Sequence, residues 1–281
     1  MIYLILAILC SSSIALIFKH SETNNMNRLA VTTANYFTAL IISLIMIFIQ
    51  NKSVFSNISK LSWAMSIGTI AGIFFFLSFI YYQKSVKKNG AGLAGVFSKL
   101  GILLPMLISI VLWKEFPTSV QWIGIILAIF SIVIVNFPFN KNWKDALKLS
   151  LILLFFYGGI AEFSNKLFQR YASLNLKPLF LFFVFSTAFI ISLIVTIKDK
   201  KEIKREDLFT GVLVGIPNLF SSFFLISALD LLKAAVVFPI FSAGSIVVIS
   251  LGGFLIYNER LNRREFSAII MTIIALILIN M

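Results

Sequence analysis

Acidic side chains are scarce in this chain. Asp and Glu number 11 among 281 residues, and all charged residues make up 12%. Soluble domains carry about a quarter charged residues, so this stock cannot furnish a water-facing surface. Cysteine is nearly absent as well. Cys10 stands alone, which excludes an intramolecular disulfide and any paired Cys-x-x-Cys motif. His20 is the one histidine, so a multi-histidine metal site is excluded. Its place between Lys19 and Glu22, at the end of an apolar run, reads as interfacial. Phosphate-binding loops and nucleophile elbows are missing, and no cofactor is expected. No gap between apolar runs is long enough for a soluble domain.

What is abundant is hydrocarbon. Hydrophobic residues reach 59%, Phe alone contributes 30, and the mean hydropathy is +0.99. Ten apolar runs of about twenty residues fit a bilayer core. They lie near Ile2–Phe18, Leu29–Gln50, Ser62–Tyr82, Gly90–Trp113, Val120–Phe137, Leu149–Gln169, Pro178–Ile197, Leu208–Leu232, Ala234–Tyr257 and Glu265–Ile279. They lack the alternation of a membrane barrel, so helices are predicted. The first run follows Met1 with no basic residue before it, and is read as a retained helix, not a cleaved signal. The net charge of +13 sits in the short gaps between runs, where Lys and Arg meet lipid headgroups. Nucleic acid is therefore not expected as a partner; the bilayer is.

The chain repeats itself. At an offset of 144 positions Phe97-Ser98 falls on Phe241-Ser242, Glu115 on Glu259, Ile125-Ile126 on Ile269-Ile270 and Asn136 on Asn280. Ile41-Ile42-Ser43-Leu44-Ile45 recurs as Ile190-Ile191-Ser192-Leu193-Ile194, and a small gap brings Lys19 onto Lys166. Each half holds five helices. Five is odd, so the second half enters from the opposite side, which predicts an inverted repeat. The fold class expected is an all-α polytopic membrane protein with ten transmembrane helices, as two inverted five-helix repeats over 1–140 and 141–281.

The ends of the halves carry a family likeness. Leu112-Trp113-Lys114-Glu115 precedes Gln121-Trp122-Ile123-Gly124, and Ile256-Tyr257-Asn258-Glu259-Arg260-Leu261 precedes Arg264-Glu265. A helix, a Glu with small or basic neighbours, then a final apolar helix, twice over, resembles the drug/metabolite transporter superfamily, EamA type. The resemblance covers the whole chain. It departs in the first run, where Cys10-Ser11-Ser12-Ser13 replaces the frequent Trp-Gly, and at Ser267-Ala268, opposite Gly124. The resemblance implies transport of a metabolite through a cavity lined by helices 1, 3, 4, 6, 8 and 9.

Two charges lie deep in the runs. Lys99 is about ten residues into the fourth, and Glu162 is at similar depth in the sixth, roughly mid-bilayer at ~1.5 Å per residue. Such a charge costs at least ~2.5–3.5 kcal/mol unless paired or facing water. Lys99 aligns with Ala243 and Glu162 with Ala15, so the fold itself does not demand either charge. Two readings stand: a cavity binding site, with Glu162 a candidate proton carrier, or an ion pair that only fixes packing. Asn165, one turn from Glu162, and Asn218, beside Pro217, are further cavity candidates. Pro105, Pro217 and Pro239 are predicted kinks that free a backbone carbonyl. Asn35, next to Tyr36, is read as an interhelical hydrogen bond. Glu115 and Glu259 are read as caps or loop residues. Gly90-Ala91-Gly92-Leu93-Ala94-Gly95 has the letters of a dinucleotide fingerprint but no βαβ context, so it reads as close helix packing, as does Gly68-Thr69-Ile70-Ala71-Gly72.

The function expected is secondary transport of a small polar metabolite, an amino acid or related zwitterion, by alternating access. Proton or ion coupling is open, as are direction and oligomeric state. The expected place is the plasma (inner) membrane of a prokaryote. Two other classes compete. A lipid-modifying membrane enzyme needs a His, Asp or Glu cluster near an interface, and only His20 and Glu22 come close. A scaffold or sensor needs an output domain or a partner. Lys and Arg are denser in the gaps after odd-numbered helices, which by the positive-inside rule puts both termini outside. The family resemblance implies both inside, and a shared fold argues for a shared orientation. Green fluorescent protein fused to the C-terminus in bacterial cells is expected to fluoresce and a fused alkaline phosphatase to be inactive; the opposite pair of results selects the charge rule.

Overall fold

The computed structural model describes residues 1–50, 58–89, 97–136, 149–199, 201–257 and 263–279. Among these residues all regular structure is helical. The α-helices are α1 (Ile2–Thr23), α2 (Arg28–Ile49), α3 (Ile58–Asn89), α4 (Leu103–Trp113), α5 (Ser119–Asn136), α6 (Leu149–Tyr171), α7 (Lys177–Asp199), α8 (Arg205–Leu231), α9 (Ala234–Tyr257) and α10 (Arg263–Ile279). A 3-10 turn, Leu174–Leu176, joins α6 to α7. Helices form because hydrocarbon offers no water to a backbone amide, and a helix satisfies its own. Seven are long and apolar enough to cross a membrane, and Phe97–Trp113, Ser119–Ile134 and Phe266–Ala275 are shorter apolar helices. Phe48, Ile49, Val111 and Leu255 are 73–79% exposed, a surface suited to lipid. The chain is thus a multi-pass integral membrane protein. The predicted Gly90–Gly95 packing segment, Glu259 and its neighbours, and Asn280 lie outside the described residues.

The contacts gather the chain into two compact units, each drawn from both halves of the sequence. The first comprises Met1–Phe76 and Ser164–Ala228. Within it α2 pairs with α7. Thr33 and Thr196 hydrogen-bond across that pair, Oγ1 to Oγ1 at 2.8 Å. Glycines let helix backbones touch. A Cβ on Gly72 of α3 would lie 2.4 Å from the Val184 carbonyl oxygen of α7, and one on Gly68 would lie 2.7 Å from that of Phe180. Gly211 and Gly215 of α8 press in the same way on Val31 and Asn35 of α2. The packing role read from Gly68–Gly72 is what this contact displays.

A buried carboxylate ties the polar end of this unit. Asp207, 1% exposed, is the third residue of α8. Its Oδ2 accepts the Lys204 N–H at 2.8 Å, and its Oδ1 accepts the Asn27 N–H at 3.0 Å. The reach back to the residue before the helix is the acidic half of a capping box. Asn27 in turn caps α2, its Oδ1 accepting from Leu29 and Ala30. The sequence reading passed over Asp207, although Glu206-Asp207 in a first helical turn is the usual signal.

The second unit comprises Leu77–Phe163 and Leu229–Met281. Here α5 pairs with α10, and α9 packs on α4, α5 and α10. Ala128, Ile132, Ala243, Ile246 and Ala275 form its core. Thr272 donates to Ser131 Oγ at 3.0 Å, and Ser131 donates to the Ala128 carbonyl at 2.7 Å. At one end Lys114 takes a left-handed conformation, φ 54°, which turns the chain out of α4. Glu115 Oε2 then accepts the Ala234 N–H at 2.8 Å, and Lys233 Nζ donates to the Phe116 carbonyl at 3.0 Å. An anion at the start of α9 meets the positive end of that helix. Glu115 is the cap the sequence suggested.

The α2–α7 and α5–α10 pairs each take one helix from each half of the sequence. The five-residue block shared by α2 and α7 behaves alike in both. Ser43 donates to the Leu40 carbonyl at 2.8 Å, and Ser192 to the Phe189 carbonyl at 2.9 Å.

Gly72→Ala sets a methyl against backbone, and we expect a loss of about 1–3 kcal/mol in unfolding free energy from overpacking. Gly158→Ala meets only the Ser78 Oγ, 3.3 Å from its Cβ, and should be neutral or slightly stabilising, because Ala is the better helix former. Thermal unfolding of the two variants in the same detergent checks the difference.

Candidate functional site

The site begins at a broken helix. Phe97–Leu100 are helical, Gly101 and Ile102 form a turn, and α4 starts at Leu103. Pro105 explains the break. It has no N–H, and its ring displaces the carbonyl four residues back, which is that of Gly101. The Gly101 carbonyl instead accepts the Leu104 N–H at 3.1 Å, a tighter turn. The predicted kink at Pro105 is thus an interruption placed two residues after Lys99.

Gly101 also lets α6 come close. A Cβ on Gly159 would lie 2.6 Å from the Gly101 carbonyl oxygen, and a Cβ on Gly101 would lie 2.9 Å from that of Phe155. Such an approach needs glycine on both sides. Lys99 lies just before this contact and Glu162 a turn beyond it on α6. Lys99 and Glu162 thus stand on the two segments that meet at this contact. Both residues are half-buried within the second unit. Ser242 of α9 approaches the Lys99 carbonyl with its hydroxyl at 3.4 Å. Next to Glu162, Phe163 stacks on Trp113 at 5.9 Å between ring centroids. Ala243, the repeat counterpart of Lys99, is 1% exposed and belongs to the apolar core.

The other polar sequence candidates, and Pro217, lie in the first unit, and Pro239 lies in the second. Asn165 follows Glu162 by one turn of α6 and is 1% exposed. Lys166 beside it is 3% exposed, a buried cation that the sequence reading used only as a repeat match. The signal was there: a lysine more than a turn inside the end of an apolar helix. One turn further on, the buried Gln169 Oε1 has no hydrogen-bond partner among the described residues. Asn218 of α8 donates its Nδ2 to Asn35 Oδ1 at 2.9 Å, and Asn35 is 3% exposed. Asn35 is therefore the interhelical bond expected, and Asn218 is its partner. Pro217 lies half-buried inside α8, and Pro239 is buried inside α9.

A family model of EamA-like transporters matches residues 1–137 and again 147–281. An uncharacterized protein of Haemophilus influenzae is 25% identical over 282 residues, covering 97% of this chain and 95% of that protein. A crystal structure of another protein has the same fold. It superposes with a TM-score of 0.76 at 15% identity, over 99% of this chain and 94% of the other.

The Lys99 and Glu162 charges are expected to be thermodynamically coupled. Lys99→Gln or Glu162→Gln alone leaves a charge without its opposite, while the double variant leaves none. In a thermal-unfolding double-mutant cycle the coupling should fall in the range of about 0.5–3 kcal/mol, with the double variant less destabilised than the sum of the singles.

Proposed function

We propose, since this chain belongs to the EamA-like transporter family within the drug/metabolite transporter superfamily, that it is a secondary transporter which moves a small zwitterion, an amino acid or close relative, by alternating access. The observation that carries the reading is the pair of opposite charges at Lys99 and Glu162, half-buried beside an interrupted helix. Lys99 takes the carboxylate of the solute and Glu162 its ammonium, each through a charge-assisted hydrogen bond. A simple cation is repelled by Lys99, and a polyanion by ionised Glu162. Glu162 is also the group that takes a proton if transport is proton-coupled.

The same reading assigns residues 1–140 and 141–281 to two five-helix repeats of opposite orientation. The shared block on α2 and α7, the pairing of those two helices and the pairing of α5 with α10 support it. Pro105, Pro217 and Pro239 then lie at points where helices bend during the exchange of access. A chain of this kind serves in the plasma membrane of a prokaryote. No chemical conversion of the solute is part of the proposal.

Uptake of a labelled amino-acid panel into proteoliposomes is the test, with variants matched for incorporation. Lys99→Gln and Glu162→Gln should each reduce transport about 10–100-fold, the worth of a hydrogen bond to a charged group. Parent activity in both variants would leave the pair as packing and the zwitterion without support. A proton gradient that accelerates uptake by the parent but not by Glu162→Gln assigns the proton to that carboxylate.

A further inference from the structure

The break beside Lys99 alters the backbone as well as the path of the helix. Prolines elsewhere do less: α8 runs unbroken through Pro217, and α9 through Pro239. The helical segment that carries Lys99 stops at Leu100, and the helix resumes at Leu103. In an unbroken helix the Leu100 carbonyl accepts from the Leu104 N–H, and the Gly101 carbonyl from residue 105. Residue 105 is proline and has no N–H to give. The Leu104 N–H goes to Gly101 instead, at 3.1 Å, which takes the donor away from Leu100.

The Lys99 carbonyl is met by the Ser242 hydroxyl at 3.4 Å. A full-strength bond of that type spans about 2.7–2.8 Å, and a carbonyl has two lone pairs, so acceptor capacity remains. Among the described residues, no backbone N–H is bonded to either the Lys99 or the Leu100 carbonyl. Carbonyls of a helical segment point along its axis toward its C-terminal end, so both open into the break. Both residues are half-buried in the second unit, and the Leu100 side chain packs on its core. Backbone short of a donor at membrane depth is tolerated where protein buries it or where it lines a cavity. Glu162 lies three residues past Gly159, on the face of α6 that meets Gly101. Two carbonyls, a lysine and a glutamate thus belong to one interrupted crossing.

We propose that the Lys99 and Leu100 carbonyls accept N–H donors from the ammonium of the transported zwitterion, so that the site selects a primary amine and rejects a quaternary one. This deepens the transport reading given above and rests on it. A primary ammonium has three N–H donors. The Glu162 carboxylate does not need all of them, and the freed carbonyls take the remainder. Each N-methyl group removes a donor and sets a methyl where a carbonyl needs a hydrogen. A quaternary ammonium keeps the charge that Glu162 attracts but has no N–H. Charge alone admits it; unmet carbonyls in a water-poor site exclude it.

Competition for uptake into proteoliposomes holding the full chain is the test. The tracer is the labelled amino acid that the parent takes up fastest. The competitors are the same amino acid unlabelled, its N-methyl and N,N,N-trimethyl derivatives, and its Cα-methyl derivative. The N-methyl and Cα-methyl compounds are isomers, so comparing them separates donor count from bulk. The trimethyl derivative should compete about 10–100-fold more weakly than the amino acid, the worth of a hydrogen bond to a charged group. The N-methyl compound should compete more weakly than its Cα-methyl isomer. Pro105→Ala gives the Gly101 carbonyl an N–H and returns that of Leu104 to Leu100, so the two isomers should then compete alike. Pro217→Ala, in an unbroken helix, should keep the difference. The readout is a ratio within one variant, so a lower yield of active protein does not imitate it. Should Pro105→Ala not survive purification, the isomer pair on the parent decides alone. Isomers that compete alike on the parent overturn the proposal, as does a difference that Pro105→Ala leaves whole. Uptake of no amino acid, or parent rates in Lys99→Gln and Glu162→Gln, instead overturns the transport reading beneath it.

Discussion

A bilayer interior has no water to lend, and this one fact organises the molecule. Every backbone amide must find its partner within the chain, so the apolar runs become helices. Once helical, they gain little from the hydrophobic effect by leaving lipid for one another, because lipid is already apolar. Close van der Waals contact and hydrogen bonds between helices must do the joining. The glycines of α3, α6 and α8 and the threonine and serine bonds across α2–α7 and α5–α10 are that joinery. The same rule governs polar groups. Asp207 is buried with both carboxylate oxygens satisfied, and Asn218 is matched to Asn35.

The charged pair follows from the same joinery. Pro105 interrupts the helix at Gly101, Gly101 and Gly159 let the two backbones meet, and Lys99 and Glu162 are carried into range of each other. Replacing either glycine would separate the helices before it touched a charge. The placing of the two charges is thus a property of backbone approach as much as of the two side chains.

The broad fold was legible because its cause is one-dimensional. Uninterrupted apolar runs of bilayer length announce helices, and Lys99 and Glu162 stand out because charge is so rare inside them. The packing role of Gly68–Gly72 and the cap role of Glu115 were legible for the same local reasons. The grouping into units was not. It depends on which helix faces which, and helices that are apolar all round carry no stripe to say so. Lys166 was legible too, by its place more than a turn inside the end of an apolar helix, although its 3% exposure is a matter of packing.

The interleaving of the two units has a consequence in time. The first unit takes Met1–Phe76 from the start of the chain and completes itself only with Ser164–Ala228. At a synthesis rate of about 5–20 residues per second, the roughly 150 residues from Leu77 to Ala228 take roughly 8–30 s to emerge. During that interval α2 stands without the Gly211, Gly215 and Thr196 surfaces that it meets in the finished unit. Neither half of the sequence can finish a unit alone, so assembly waits for the ribosome to pass position 228.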